Sequence, residues 1–134
     1  MPTALVCSTF QFSIGSGVNT VFNFDQKIFD NDNMYNSNTK LTINTAGVYL
    51  ICGNAFMQDN ATGYRKLTVR KNGGTNLGIH NMGAVSGDFT RIQVVAVANL
   101  IVGDYVELLI YQDSGTEIDV YGSILPHLSI IRIG

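Results

Sequence analysis

Charged residues and tryptophan are scarce in this sequence. Charged side chains make up 13% of its 134 residues and Trp is absent, while hydrophobic residues make up 46%. A typical soluble domain has about 25% charged residues. Either Asn, Ser and Thr solvate the rest of the surface, or other copies of the chain cover part of it. The eight Lys and Arg form no cluster larger than a pair. This is too little positive charge to neutralise a phosphate backbone, so we expect no nucleic-acid partner.

Long apolar runs are also missing. No run reaches the roughly 18 residues that a membrane span needs, and the N-terminus lacks the positively charged start of a signal peptide. We therefore expect no membrane insertion, and a protein that is made in a cytoplasm or cut from a longer chain. The length is typical of one domain and no linker or repeat interrupts it, which predicts a single domain over residues 1–134.

Cysteine and histidine are too few to build an obvious chemical site. Cys7 and Cys52 each lie in an apolar stretch, where a buried free thiol is commoner than a disulfide bond, and a bond between them requires neighbouring strands. His80 and His127 each lie apart from ligands at metal-binding spacing, which is typical of surface or interface histidines. Nucleophile elbows, phosphate loops and paired catalytic carboxylates are also missing. We predict that the protein is not an enzyme and has no cofactor.

One segment has the oxygen-rich pattern of a calcium loop. Residues 30–33 read Asp-Asn-Asp-Asn, and alternating oxygen side chains suit a hard cation. The segment lacks the glycine and the distal glutamate of the helix-loop-helix calcium site. A solvated turn is the favoured interpretation, and a weak calcium site stays open beside it.

Apolar periodicity predicts an all-β fold. Apolar and β-branched runs alternate with Gly, Asn and Asp clusters, and no long stretch keeps a 3.6-residue period. Many strands joined by such turns suit a two-sheet antiparallel jelly-roll sandwich. The predicted strands are residues 5–14, 20–24, 40–44, 47–57, 64–71, 89–100, 104–112 and 128–133.

Three of these strands, 47–57, 89–100 and 128–133, are apolar on both faces. A sandwich buries only one face of each strand, so the second face needs another cover, and another copy of the chain is the simplest one. Periodicity alone does not choose between a dimer and a trimer. The residues predicted to meet the other copies are Tyr49, Ile51, Val95, Val97, Ile131 and Ile133.

A series of residues in the first half of the chain resembles one family signature. The series is Phe24, Asp30, Tyr35, Gly47 and Tyr49. Its order and spacing resemble the complement component 1q and tumour necrosis factor superfamily of trimeric jelly-roll heads. Segments 60–67, 70–73 and 103–108 are similar to the bacterial and bacteriophage versions of that domain. The resemblance implies a homotrimer about a threefold axis and a role in binding.

These observations lead to a functional hypothesis. We expect a trimeric head on a bacteriophage virion surface, as a fibre tip, spike or capsid decoration. Its partners would be other virion proteins and a glycan or protein of the host surface. The alternatives are an exported bacterial or spore-surface binding head and a secreted cytokine-like ligand. Loops carry most recognition residues, and the candidate ligand contacts, which also suit plain turn chemistry, are Asn60, Thr62, Tyr64, Asp113 and Thr116.

Overall fold

A computed structural model describes residues 1–122 and 127–134 of the chain. The described residues form twelve β-strands and contain no α-helix, which confirms the all-β prediction. Among them there is accordingly no helix long and apolar enough to cross a membrane. The strands are β1 (Thr3–Cys7), β2 (Phe12–Ile14), β3 (Thr20–Val21), β4 (Gln26–Asp30), β5 (Leu41–Thr42), β6 (Gly47–Met57), β7 (Tyr64–Lys71), β8 (Thr75–Gly83), β9 (Thr90–Leu100), β10 (Tyr105–Gln112), β11 (Ile118–Val120) and β12 (Leu128–Arg132).

The strands form two antiparallel sheets. In the first sheet the order is β4-β1-β12-β6-β9. β11 pairs with the last residue of β6, Met57, and its other neighbour is β2. In the second sheet β10 pairs with β3, β5 and β7, and β7 pairs with β8. Every described pairing between named strands is antiparallel, as predicted for the sandwich.

The core lies between the sheets and is filled by alternate residues of the long strands. From β6 it takes Tyr49 and Ile51, and from β10 it takes Leu108, all with no exposed surface. Gly53 faces the second sheet and has no room for a side chain, since a Cβ there would be 2.5 Å from Leu108 Cδ1 and 2.9 Å from Val94 Cγ1. A side chain at residue 53 would therefore push the sheets apart.

This arrangement corrects part of the predicted interface. Tyr49 and Ile51 point into the core and have no exposed surface that a second copy could cover. The four other residues lie on the opposite face of the first sheet. Val97 lies across from Leu50, and Leu50 lies across from Ile131. Residues directly opposite each other share a face, and a shift of one residue exchanges the faces, so Tyr49 and Ile51 belong to the other set.

Three strands were missed and one predicted strand divides. Segment 5–14 is two strands, because the chain turns at Thr9, whose amide and hydroxyl bond to Asp25. β4 is an exposed edge strand without apolar alternation, and β8 is rich in Gly and Asn. β11 has only three residues. None of these three has the apolar pattern on which strand prediction relies.

The two cysteines lie on strands that are not neighbours. Cys7 is in β1 and Cys52 is in β6, with β12 between them, and both are free thiols. Neighbouring strands lie about 4.8 Å apart, so two spacings exceed the roughly 7 Å limit for a disulfide bond. Burial raises the pKa of the Cys7 thiol, with the charge of Asp25 acting in the same direction.

The residues that carry the family resemblance support the fold. Phe24 is fully buried, and the Tyr35 hydroxyl donates to the Phe24 carbonyl. The Tyr49 hydroxyl donates to the Thr45 carbonyl at 2.6 Å. The Asp30 carboxylate accepts backbone N–H groups from Asp32, Met34 and Tyr35, at 3.2, 3.1 and 2.9 Å. The signature residues therefore have structural roles, and we expect ligand contacts at other positions.

Candidate functional site

The outer face of the first sheet carries a continuous apolar surface. One cross-strand row runs Val97, Leu50, Ile131, and the next runs Val95, Cys52, Ser129. Val95 and Val97 are each 60% exposed and Ile133 is 52% exposed. Exposed β-branched side chains in adjacent rows of one sheet are typical of an interaction surface. We call this surface the apolar face, and its members are Val48, Leu50, Cys52, Val95, Val97, Ile131 and Ile133.

A group of aromatic side chains lies at the far end of β6, separated from the apolar face by the polar row of Asn54 and Gln93. The ring of Phe89 lies 6.1 Å from that of Phe56 and 5.1 Å from that of Tyr121, both edge to face. The Arg91 guanidinium lies 4.5 Å over the Phe56 ring. On the opposite side, β4 adds Phe29, which is 49% exposed and lies across from Leu5, and Leu5 lies across from Ser129. Sequence analysis missed Phe29 because a Gln-Lys pair begins β4.

The candidate ligand residues gather at one end of the sandwich. The β6–β7 loop and the β10–β11 loop meet there, since the Tyr64 amide donates to Asp113 Oδ1 at 2.6 Å. Both chain termini lie at the other end, where Gly134 bonds to Val48 near the start of β6. At about 3.3 Å per residue, Val48 and Met57 are about 30 Å apart along β6.

Two of the candidate side chains stabilise their own loops. Asn60 Oδ1 accepts the Thr62 amide at 2.9 Å, and Asp113 Oδ1 accepts the Tyr64 amide. Thr62 and Thr116 are exposed, and the Thr116 carbonyl accepts from Gln112 Nε2 at 2.8 Å. The structure thus brings Asn60, Thr62, Tyr64 and Asp113 together, and Thr116 lies on the same β10–β11 loop as Asp113.

The buried side chain of Arg65 forms hydrogen bonds to the backbone of the β6–β7 loop. Arg65 was not predicted as a site residue. Its side chain is fully buried, and its guanidinium donates to the carbonyl oxygens of Asn60 at 2.9 Å, Thr62 at 2.9 Å and Tyr64 at 3.1 Å. Burial lowers the pKa of Arg65, and the charge of Asp113 opposes that shift. The signal was present in the alternation of β7, because Arg65 falls on the same face as core residues Leu67 and Val69.

The histidines have different environments. His127 is buried against the Phe22 ring at 5.0 Å, and its Nδ1 lies 3.0 Å from the Asn54 carbonyl oxygen. Its Nε2 is buried without a hydrogen-bond partner among the described residues. His127 is therefore a core residue, which corrects the expectation of a surface or interface position. His80 is exposed, as expected, with Nδ1 2.5 Å from the Gln93 carbonyl oxygen.

No group of three or more His, Cys, Asp or Glu that could hold a metal ion occurs within residues 1–122 and 127–134. In the oxygen-rich turn, the Asp30 carboxylate is bonded to three backbone amides. Asp32 accepts the Thr45 hydroxyl at 2.9 Å. These bonds direct the Asp30 carboxylate toward its own turn and join Asp32 to the β5–β6 loop.

Solved structures share this architecture. The globular domain of zebrafish complement 1qA protein superimposes with a TM-score of 0.70 at 16% identity, covering 100% of this chain and 98% of that one. Murine APRIL at pH 8.0 gives a TM-score of 0.72 at 14% identity, covering 98% of both chains. By sequence, no protein-family model and no curated protein matches. The likeness confirms the predicted jelly-roll fold of the complement component 1q and tumour necrosis factor type.

Proposed function

We propose that this protein is a non-enzymatic binding or structural head that assembles as a homotrimer. The observation that carries the proposal is the apolar face, where Val95 and Val97 are 60% exposed in rows of uncharged residues. Another copy of the chain can cover an uncharged apolar surface without leaving a buried charge unpaired. The resemblance to trimeric heads favours three copies over two.

The leading setting for this head is a bacteriophage virion surface, as a fibre tip, spike or capsid decoration. The similarity of segments 60–67, 70–73 and 103–108 to bacterial and bacteriophage versions of the domain supports this setting. Both termini lie at one end and the candidate ligand loops at the other. A particle joined to the head near its termini would leave those loops facing the host, where three copies give avidity.

A secreted ligand is the second candidate, and its support is the likeness to murine APRIL over 98% of both chains. An exported bacterial head would use the same surfaces. The settings differ in where the protein is found, so labelling the head on purified particles separates them. Fixed symmetric positions on virions would support the first setting, and a head recovered only from the medium would contradict it.

The trimer is tested with a matched pair of charge substitutions. Val95→Glu places a charge in the apolar face, and burial of an unpaired charge costs several kcal/mol. Val102→Glu is the control, since Val102 is 62% exposed in the β9–β10 loop, outside that face. Light scattering should give a monomer for Val95→Glu and a trimer for Val102→Glu. A trimer in both variants would show that the apolar face is not the contact surface.

A further inference from the structure

A second set of side chains gathers on the outer face of the second sheet, beside the ligand loops. Lys66 lies across from Tyr111 on one side and from Asn81 on the other. Tyr64 is two residues before Lys66 and so shares its face. The rings of Tyr64 and Tyr111 are 5.5 Å apart and tilted by 31°. We call Tyr64, Lys66, Asn81 and Tyr111 the tyrosine platform.

The tyrosine platform is open to solvent. Tyr64 is 39% exposed and Asn81 is exposed. Gly83 lies across from Tyr64, and a Cβ at Gly83 would meet nothing within 4 Å. The flank of the Tyr64 ring is therefore free to receive a ligand. The platform also belongs to the sheet that a trimer built through the apolar face would leave uncovered.

The platform is held rigidly from below. Arg65 fixes the Asn60, Thr62 and Tyr64 carbonyls, and Asp113 fixes the Tyr64 amide. A contact surface that is already ordered loses little conformational entropy when it binds. Tyrosine also has few side-chain torsions to immobilise.

The charges near the platform leave one cation without an acidic partner. Arg65 and Asp113 carry opposite charges that influence each other. Lys66 Nζ lies 4.7 Å over the Tyr111 ring. Within the described ranges, the salt bridge is Arg70–Glu107, which does not include Lys66. The platform therefore presents a positive charge beside the exposed ring of Tyr64.

We propose that the tyrosine platform binds an acidic glycan, a sugar that carries a carboxylate. The C–H face of a sugar ring stacks on the exposed Tyr64 ring, Lys66 pairs with the carboxylate, and the Asn81 amide bonds to hydroxyl groups. A protein partner would need about 800 Å² of surface on each side, whereas this set suits a few sugar units. The inference rests on the proposed function and names its ligand class.

The test uses an array of oligosaccharides that end in uronic or sialic acid, beside the same compounds with the carboxylate reduced to an alcohol. The intact head should bind some acidic forms about tenfold more strongly than their reduced forms, as for loss of a charge-assisted bond. Lys66→Gln should remove that difference. Tyr111→Leu should weaken binding of both forms about tenfold through lost ring contact.

A matched control lies at the other end of the same sheet. Lys40 Nζ lies 4.3 Å over the Tyr105 ring. Tyr105 is the first residue of β10, and Tyr111 lies near the end of the same strand. Lys40→Gln and Tyr105→Leu should leave glycan binding unchanged. Gly83→Val, which fills the open flank, should weaken it.

Several outcomes would overturn the proposal. In the first, the folded head binds acidic and reduced oligosaccharides equally, or binds neither. In the second, Tyr105→Leu weakens glycan binding as much as Tyr111→Leu does. In the third, the head binds an acidic peptide and no glycan. A trimer that binds no glycan would contradict the platform and leave the proposed head intact. A monomer that binds acidic glycans through Tyr111 would contradict the trimer and leave the platform intact.

Discussion

The outer faces of the two sheets differ in what they offer to their surroundings. On the first sheet, Leu50 lies between Val97 and Ile131 in a row of uncharged residues. On the second sheet, Arg70 forms a salt bridge with Glu107 at 2.8 Å. Both faces lie over the same core and have the same pleat. Packing in the core constrains only the inward-facing residues of each strand. The outward-facing residues therefore indicate whether a sheet faces solvent or another protein surface.

The largest expected effect comes from placing the same charge on each face. Ile131→Glu should separate the trimer, since burial of an unpaired carboxylate costs several kcal/mol. Ile79→Glu is the matched change on the second sheet, where Ile79 is 50% exposed across from Thr68. It should change the unfolding free energy by at most about 0.5 kcal/mol. Analytical gel filtration and urea unfolding measure both effects, and equal behaviour of the two variants would remove the distinction between the faces.

The next effect concerns the loops beside the second face. Arg65→Met removes hydrogen bonds to three carbonyl groups, and we expect a loss of about 3 kcal/mol in unfolding free energy, at roughly 1 kcal/mol per bond. Lys66→Met is the control, since Lys66 is its neighbour on the solvent-facing side. A stability change under about 0.5 kcal/mol in Arg65→Met would show that the loops hold their shape without the guanidinium.

Comparison of the sheets also shows how much of the fold the sequence predicts. The long strands β6, β7, β9 and β10 were predicted because each is an apolar and β-branched run bounded by turn residues, and the sandwich followed from them. The side of the sheet on which Tyr49 lies was predicted wrongly, because both faces of β6 are apolar and the pairing register is not visible in one sequence. Exposed strand β4 and the polar β8 lack the pattern that identifies strands.

At the candidate site, turn chemistry identified the loops but not the residues that shape them. Asn60 and Asp113 are typical loop residues and were predicted as ligand contacts. The structure shows that their side chains bond to the backbone. Tyr111 and Lys66 meet Tyr64 only through the pairing of β7 with β10. Such a cross-strand set depends on register, and no local spacing reveals it.

A smaller effect concerns pH and the buried ring of His127, which directly precedes β12. Burial lowers the pKa of His127, while the Asn54 and Ser8 backbone and the charge of Asp25 act in the opposite direction. The unfolded chain, with an ordinary histidine pKa of about 6.5, therefore binds the proton more tightly than the folded chain. Stability should be fully present above about pH 6.5 and fall as the pH drops below it, by at most about 1.4 kcal/mol per pH unit.

Urea unfolding at fixed protein concentration, from about pH 7.5 to pH 5, measures this slope. His127→Phe should reduce it, whereas His80→Gln, at an exposed position, should keep it. An unchanged slope in His127→Phe would assign the pH dependence to other groups.

The smallest effect is expected for the ion pair on the second face. Arg70 Nη2 and Glu107 Oε1 are 2.8 Å apart, with side chains 26% and 10% exposed. Partly solvated pairs of this kind contribute about 1 kcal/mol or less. Glu107→Gln should therefore reduce the unfolding free energy by no more than that and leave assembly unchanged. Dissociation of the trimer by Glu107→Gln, detected by gel filtration, would place the contact surface on the second sheet.

Sedimentation equilibrium of the unmodified chain tests the central claim most directly. The apolar face, together with the resemblance to trimeric heads, predicts a single species of three times the 14.6 kDa chain mass at micromolar concentration, with no monomer detected. A stable monomer of 14.6 kDa at the same concentration would contradict the account, because the exposed side chains of Val95, Val97 and Ile133 would then have no covering partner.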